Sequence, residues 1–216
     1  MAKRLPCPPA PGPLEAYAAG FDDLFQTLAP RRGFREYLAG TEPVERAQHA
    51  AVQRLQFFLS ESTWDGEQVK ARRLELLLAD PATAPHEGGV LAIDDSGDRN
   101  GGSATAHVGK RYPGSVGKIG RGVVTVTMCW ADERLYYPLH AVPYAPAHHF
   151  PGGKNDPAFR TKLQIGAGLT RAAKTAGVVF RAVVADCAYG DHNTFRAELS
   201  NARVPFVMAL KRGHGT

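Results

Sequence analysis

The sequence predicts an α/β fold in which a helical N-terminal region precedes a mixed β-sheet domain. Three observations predict it. Apolar residues recur at steps of three and four between Leu14 and Leu78, which is helical spacing. After Pro85 the chain changes to short apolar or β-branched runs bounded by Gly, Asp or Pro, which is the pattern of strands and their turns. Two later stretches return to a helical pattern and separate the last strands, so helices are expected to cross between parallel strands.

These changes of pattern divide the 216-residue chain into three segments. Residues 1–13 are rich in proline and poor in apolar side chains, which predicts a disordered lead-in. Residues 14–85 form the helical N-terminal region, in which Ser62 or Thr63 is expected to cap the last helix. Residues 86–216 form the sheet domain.

The sheet domain is predicted element by element. The run GVLAID, residues 89–94, is a buried strand, and residues 123–142 are a hairpin because two β-rich runs flank the turn ADE. A helix is expected over residues 156–176, since Asp-Pro is a helix start and a glycine follows its end. The run VVFRAVVAD, residues 178–186, is the next strand, and a short helix and the strand PFVMAL complete the order. This order of elements is the one found in ribonuclease-H-like domains.

Composition and charge narrow the class of protein. Hydrophobic residues make up 44% and charged residues 22% of the chain, which is the range of soluble globular domains. No apolar run approaches the roughly 18 residues of a membrane span. The three cysteines, Cys7, Cys129 and Cys187, lack metal or redox spacing, which favours a reducing cytosol. The net charge of +5 has two interpretations, general solubility or a polyanionic partner such as DNA.

Two of the predicted strands end in aspartate, at Asp94 and at Asp186. In a mixed sheet of this order the first and fourth strands can be parallel neighbours about 5 Å apart, so both carboxylates are expected at the edge where open α/β sheets bind ligands. Two such carboxylates repel unless a cation or a proton lies between them, and oxygen ligands suit Mg²⁺ or Mn²⁺. The alternative is that each aspartate caps a helix or a turn. In the metal-site interpretation Asp95 and Asp98 have secondary roles.

Five segments, taken in order, resemble insertion-sequence transposases of the DDE superfamily. IDDSG, with Asp94 and Ser96, resembles the D-x-[ST] start of the family's catalytic domain, and VVADCAYGDHNTF resembles the D-x-x-Y-G segment that carries its second aspartate. AHVGKRYPGSVGKI, YYPLHAVPYAPAHHF and KNDPAFRTK resemble linking segments of an actinobacterial-type branch of this family. The resemblance covers roughly Ala16 to Arg212.

The resemblance implies a metal-dependent DNA endonuclease and strand transferase that acts at the nucleoid in the bacterial cytoplasm. Asp94 and Asp186 would be catalytic and would hold two divalent metal ions, Mg²⁺ or Mn²⁺. The partners would be DNA, as transposon ends and target, and a second copy of the chain or an intact transposase. No membrane partner is expected. The DNA backbone would be held by basic side chains: Arg99, Lys110, Arg111, Lys118, Arg160 and Lys162.

The sequence departs from the family pattern at its C-terminal end. The family's third acid, usually a glutamate, follows the last strand, whereas here no acid follows Glu198 before the sequence ends at Thr216. We therefore expect a sheet that is incomplete at the C-terminus, and a copy that is truncated before the third acid and impaired in catalysis. The alternatives are a DNA-binding remnant that inhibits an intact transposase without chemistry of its own, and a non-functional product of marginal stability.

Overall fold

The computed structural model describes residues 12–39, 48–99, 107–111 and 120–213. It divides into two compact units between Thr83 and Ala84. The predicted lead-in falls almost entirely outside the described residues. Within them, no helix combines the length and the apolar character that crossing a bilayer would need.

Buried aromatic side chains hold the N-terminal unit together. Phe21, Phe25, Phe34 and Phe58 are each at most 4% exposed and form one cluster. Their rings lie at tilted angles with centroids 5.0 to 6.5 Å apart, a range in which aromatic pairs add to the stabilisation from burial. The helices that carry or flank this cluster in the described residues are α1 (Pro13–Ala19), α2 (Leu28–Leu38), α3 (Gln48–Glu61) and α4 (Gly66–Ala79).

The helical spacing of apolar residues runs on past Ala19, but the first helix ends there. After α1 the chain passes through a single 3₁₀ turn, Asp22–Leu24, before α2 begins. The carboxylate of Asp22 accepts two hydrogen bonds from Arg35, at 2.6 and 2.9 Å, and Asp23 accepts two from Arg72, both at 2.7 Å. These paired contacts fix the turn, and apolar spacing gives no sign of them.

The last helix of this unit begins at a different cap from the one expected. Asp65, and not Ser62 or Thr63, is the N-cap of α4, and its carboxylate accepts from the backbone N–H of Glu67 at 2.8 Å and of Gln68 at 3.4 Å. A carboxylate next to the first turn accepts hydrogen bonds from free N–H groups, and its negative charge interacts favourably with the positive end of the helix dipole.

The C-terminal unit is built on a mixed sheet. Strand β3 pairs antiparallel with β1 along one side, and along the other it pairs antiparallel with β4 and, near its start, with β2. On the far side of β1, β5 and then β6 pair in parallel. The topology confirms the predicted α/β class and its ribonuclease-H-like mixed sheet. The strands are β1 (Val90–Arg99), β2 (Gly109–Arg111), β3 (Gly120–Ala131), β4 (Tyr136–Tyr144), β5 (Ala182–Ala185) and β6 (Phe206–Met208).

Helices connect the parallel strands. Helix α5 (Lys162–Thr175) leads from β4 to β5, and α6 (Cys187–Gly190) and α7 (Asn193–Asn201) lead from β5 to β6. The predicted start of α5 near Asp156 is wrong. The Asp156 carboxylate instead bonds the backbone N–H of Ala158 at 2.9 Å within a loop, and Thr161 forms a capping box with Gln164.

One face of the sheet carries the core of this unit. Leu91 and Ile93 on β1 lie opposite Trp130 and Met128 on β3, and all four are at most 2% exposed. Helix α5 covers this face, since a Cβ added at Gly166 would come within 3.4 Å of Ile93. Successive side chains of a strand point to opposite faces. The next two residues of β1 after Ile93 therefore point to different sides of the sheet.

Candidate functional site

Asp94 and Asp186 occupy corresponding positions on neighbouring parallel strands. The last paired residues of β1 and β5 are Ile93 and Ala185, and the two aspartates follow them directly. Both aspartates are exposed. The predicted strand end at Asp94 is wrong, because β1 continues to Arg99 in its pairing with β3. Asp94 therefore marks the point where β5 separates from β1 and the sheet opens.

Each of these two aspartates uses one carboxylate oxygen locally. Oδ1 of Asp186 accepts from the backbone N–H of Ala188 at 2.9 Å, and Oδ1 of Asp94 accepts from the N–H of Asp95 at 2.7 Å. The capping interpretation is therefore correct for one oxygen of Asp186, which is the N-cap of α6. In the described part of the chain, the second oxygen of each carboxylate has no hydrogen-bond donor. One oxygen on each aspartate is thus available to a ligand.

Asp95 points to the other face of the sheet, toward α5, and both of its oxygens are engaged. Oδ1 accepts from the hydroxyl of Tyr189 at 2.7 Å, and Oδ2 is bonded to the ammonium of Lys162, the first residue of α5. Tyr189 is 1% exposed. Asp95 was expected to have a secondary role, yet its carboxylate is more fully bonded than that of Asp94 or Asp186.

The phenol of Tyr189 responds to all three aspartates. Burial raises its pKa well above the usual tyrosine value, and the hydrogen bond to Asp95 and the charges of Asp95, Asp94 and Asp186 raise it further. The charges of three carboxylates therefore act on one hydroxyl. We call Asp94, Asp95 and Asp186 the carboxylate cluster.

The chemistry of Asp94 and Asp186 suits a divalent cation, because each offers one carboxylate oxygen that has no hydrogen-bond donor in the described residues. Among the residues that the structure describes, no group of three or more His, Cys, Asp or Glu side chains is arranged to hold a metal ion. Asp95 lies on the α5 side of the sheet, where its carboxylate is paired with Lys162. Mg²⁺ is commonly held by one or two carboxylates together with substrate phosphates, and Asp94 and Asp186 supply that number.

Of the six basic residues predicted to bind DNA, the structure describes the side chains of two, and both are bonded within the protein. Lys162 is paired with Asp95, and the guanidinium of Arg160 donates to the backbone carbonyls of Pro157 and Phe159 at 2.6 and 2.8 Å. Lys118 lies outside the described residues. The side chains of three others also lie outside the description, although their backbones belong to β1 and β2: Arg99, Lys110 and Arg111. DNA contact by this set stays a prediction.

Replacing Tyr189 by phenylalanine is expected to lower the free energy of unfolding by about 1–3 kcal/mol at pH 7, because the part-buried Asp95 carboxylate loses a donor. The raised pKa means that the folded protein keeps the phenolic proton to higher pH than the unfolded chain. The difference in stability is therefore fully present below about pH 10 and shrinks as the pH rises above it.

Chemical denaturation of both proteins at pH 7 and above pH 10 measures this effect. The control is Tyr136→Phe, because Tyr136 is 82% exposed and its replacement should leave stability within about 0.5 kcal/mol of the wild type. A Tyr189→Phe protein as stable as the wild type at pH 7 would show that the hydroxyl does not support Asp95.

Comparisons with known proteins agree with the sequence motifs. Residues 41–214 match the family described as "DDE superfamily endonuclease". The chain is 32% identical over 163 residues to the "Probable transposase for insertion sequence element IS701" of Microchaete diplosiphon, which covers 75% of this chain and 41% of the relative. The chain thus spans about two fifths of the length of that curated relative.

A comparison with solved structures adds little. The "Mos1 transposase paired-end complex with left transposon end" aligns with 100% of this chain and 63% of its own, at 15% identity and a TM-score of 0.25. Similarity at this level supports no argument about the present chain.

Proposed function

Because the chain belongs to the DDE superfamily of endonucleases, we propose that it acts in DNA transposition by metal-dependent cleavage and transfer of DNA strands. The observation that best supports this activity is the register of β1 and β5, in which Asp94 and Asp186 follow paired residues on adjacent strands. This arrangement suits a reaction in which carboxylates, a cation and DNA phosphates share one site.

In this proposal Asp94 and Asp186 each use their second oxygen to hold Mg²⁺ or Mn²⁺. Two cations held there would supply the chemistry of an in-line phosphodiester displacement, one by activating the attacking oxygen and the other by stabilising the leaving oxygen. The backbone N–H of Ala188 fixes the orientation of Asp186, and the N–H of Asp95 fixes that of Asp94. Each bond leaves one oxygen of its aspartate for a cation.

The DNA phosphates would be neutralised by basic side chains. The net charge of +5 supports a polyanionic partner at the nucleoid. The proposed phosphate contacts remain those of the sequence analysis: Arg99, Lys110, Arg111, Lys118, Arg160 and Lys162. Lys162 can serve this purpose only after it leaves Asp95.

A second function, DNA binding without chemistry, is supported by a specific observation. In the described residues the third carboxylate of the cluster, Asp95, is already paired with an ammonium. Two available carboxylates are fewer than the three acids that the sequence resemblance implies. Such a chain would occupy DNA, and so compete with an intact transposase for it.

Incubation of the purified chain with supercoiled plasmid DNA and Mn²⁺ separates the two functions. The wild type is expected to convert the plasmid to its nicked form, and Asp186→Asn is expected to bind the same DNA without nicking it. Nicking that is equal in both proteins would come from a contaminant or another site and would contradict the proposal. Binding without nicking by the wild type would establish the second function instead.

A further inference from the structure

Lys162 brings a positive charge into the carboxylate cluster. Its ammonium is bonded to Asp95, and the two side chains are 33% and 22% exposed, so solvent screens their attraction less than that of a surface pair. In the described part of the chain it is the one cationic side chain hydrogen-bonded to any of the three aspartates. Three carboxylates and one ammonium leave the cluster with a net negative charge.

The position of Lys162 in its helix is electrostatically unfavourable for a cation. It is the first residue of α5, where the helix dipole disfavours a cation, and the first turn of this helix contains no acidic residue. The capping box of Thr161 and Gln164 fixes the backbone from which the side chain extends. Asp95, which is 67 positions away in the sequence, supplies the negative charge that the helix start lacks.

We propose that Lys162 is a tethered counter-ion that occupies Asp95 while the metal is absent and is displaced when a divalent cation enters the carboxylate cluster. The inference rests on the proposed function, because it requires a cation at Asp94 and Asp186. Tyr189 and Lys162 together occupy both oxygens of Asp95. An oxygen of Asp95 therefore becomes available only when the ammonium leaves.

The repulsion between the two cations gives the displacement its physical basis. A divalent ion held at Asp94 and the ammonium held at Asp95, the next residue of β1, repel each other, and the repulsion is stronger where solvent is partly excluded. Lys162 thus stabilises the metal-free cluster and weakens its affinity for metal. The released ammonium is then free to meet a DNA phosphate, so one side chain would couple metal entry to DNA contact.

Titration with Mn²⁺, followed by the electron paramagnetic resonance signal of the free ion, tests the inference. Lys162→Met is expected to bind Mn²⁺ at least about ten-fold more tightly than the wild type. The double variant Asp95→Asn/Lys162→Met restores the wild-type charge of the cluster and is expected to return to about wild-type affinity. Lys70→Met is the matched control, since it removes an ammonium from an exposed pair with Glu67 and should change nothing.

Unchanged or weaker binding by Lys162→Met would overturn the inference, and so would a gain that persists in the double variant. If neither the wild type nor Lys162→Met binds Mn²⁺, the proposed metal site fails together with the inference. If the wild type binds and only the Lys162 effect is missing, the inference fails alone.

A measurement on the wild type does not depend on how the variants fold. Brief acetylation with acetic anhydride, read by mass spectrometry, reports how accessible each lysine is. Adding Mn²⁺ is expected to raise the acetylation rate of Lys162 several-fold relative to Lys174, whose ammonium donates to the carbonyl of Ala202. An unchanged ratio in metal-bound protein would overturn the displacement.

Discussion

Replacing Asp186 or Asp94 by alanine is expected to weaken Mn²⁺ binding at least about a hundred-fold, equivalent to roughly 2.8 kcal/mol of binding free energy. Each aspartate offers one carboxylate oxygen without a hydrogen-bond donor in the described residues, so each substitution removes one of two ligands. The remaining carboxylate would be left with a cation that it cannot hold alone. Calorimetric titration with Mn²⁺ measures the loss.

Asp186 also caps a helix, so the control variants must separate helix capping from metal binding. Its carboxylate caps α6, so alanine also costs about 1 kcal/mol of stability. Asp186→Asn keeps a cap acceptor and removes the charge, and it should lose metal binding while melting close to the wild type. Glu198→Ala removes an exposed acid paired with Arg171 and should leave Mn²⁺ affinity unchanged. Wild-type affinity in Asp186→Asn would exclude Asp186 as a ligand.

Replacing Gly190 by alanine is expected to lower the free energy of unfolding by about 1–3 kcal/mol and to weaken Mn²⁺ binding as well. A Cβ at this position would lie 2.2 Å from the carbonyl oxygen of Ala209 and 2.9 Å from Cβ of Met208. The clash is with backbone just after β6, which cannot rotate away as a side chain can. The N–H of Gly190 also donates to the carbonyl of Asp186 at 2.8 Å, so movement here displaces that aspartate.

Gly168 in α5 provides the matched control for Gly190. A Cβ built there meets nothing within 4 Å, so Gly168→Ala is expected to raise stability by about 0.5–1 kcal/mol through helix propensity. Thermal unfolding of the three proteins gives the comparison. If Gly190→Ala were as stable as the wild type, α6 would not pack against the end of β6 as described.

The sequence predicts the strands of this fold well where burial sets the pattern. The runs at residues 90–94 and 182–186 are apolar because both lie in the centre of the sheet, and each ends at an aspartate. The extension of β1 through DSGDR could not be predicted, because its residues are polar and its pairing depends on β3. Strand β2 has three residues, GKR, and no apolar side chain, so nothing in the sequence indicates it.

The pairing of Asp94 with Asp186 could be predicted from the sequence, but the partners of Asp95 could not. Parallel strands end at the same edge, which is why Asp94 and Asp186 could be paired from sequence. Because successive side chains of a strand alternate between its two faces, the sequence could also have placed Asp95 on the face opposite to Asp94. Its partners could not be inferred, because Lys162 and Tyr189 lie 67 and 94 positions away in the sequence and come from two different helices.

Diffraction from crystals soaked in MnCl₂ shows whether the strand-end aspartates hold a divalent metal. Anomalous scattering identifies manganese independently of any assumption about ligands. We expect an anomalous peak within coordination distance, about 2.0–2.3 Å, of carboxylate oxygens of both Asp94 and Asp186. A peak at another position, or none at this edge in protein that binds Mn²⁺ in solution, would contradict it.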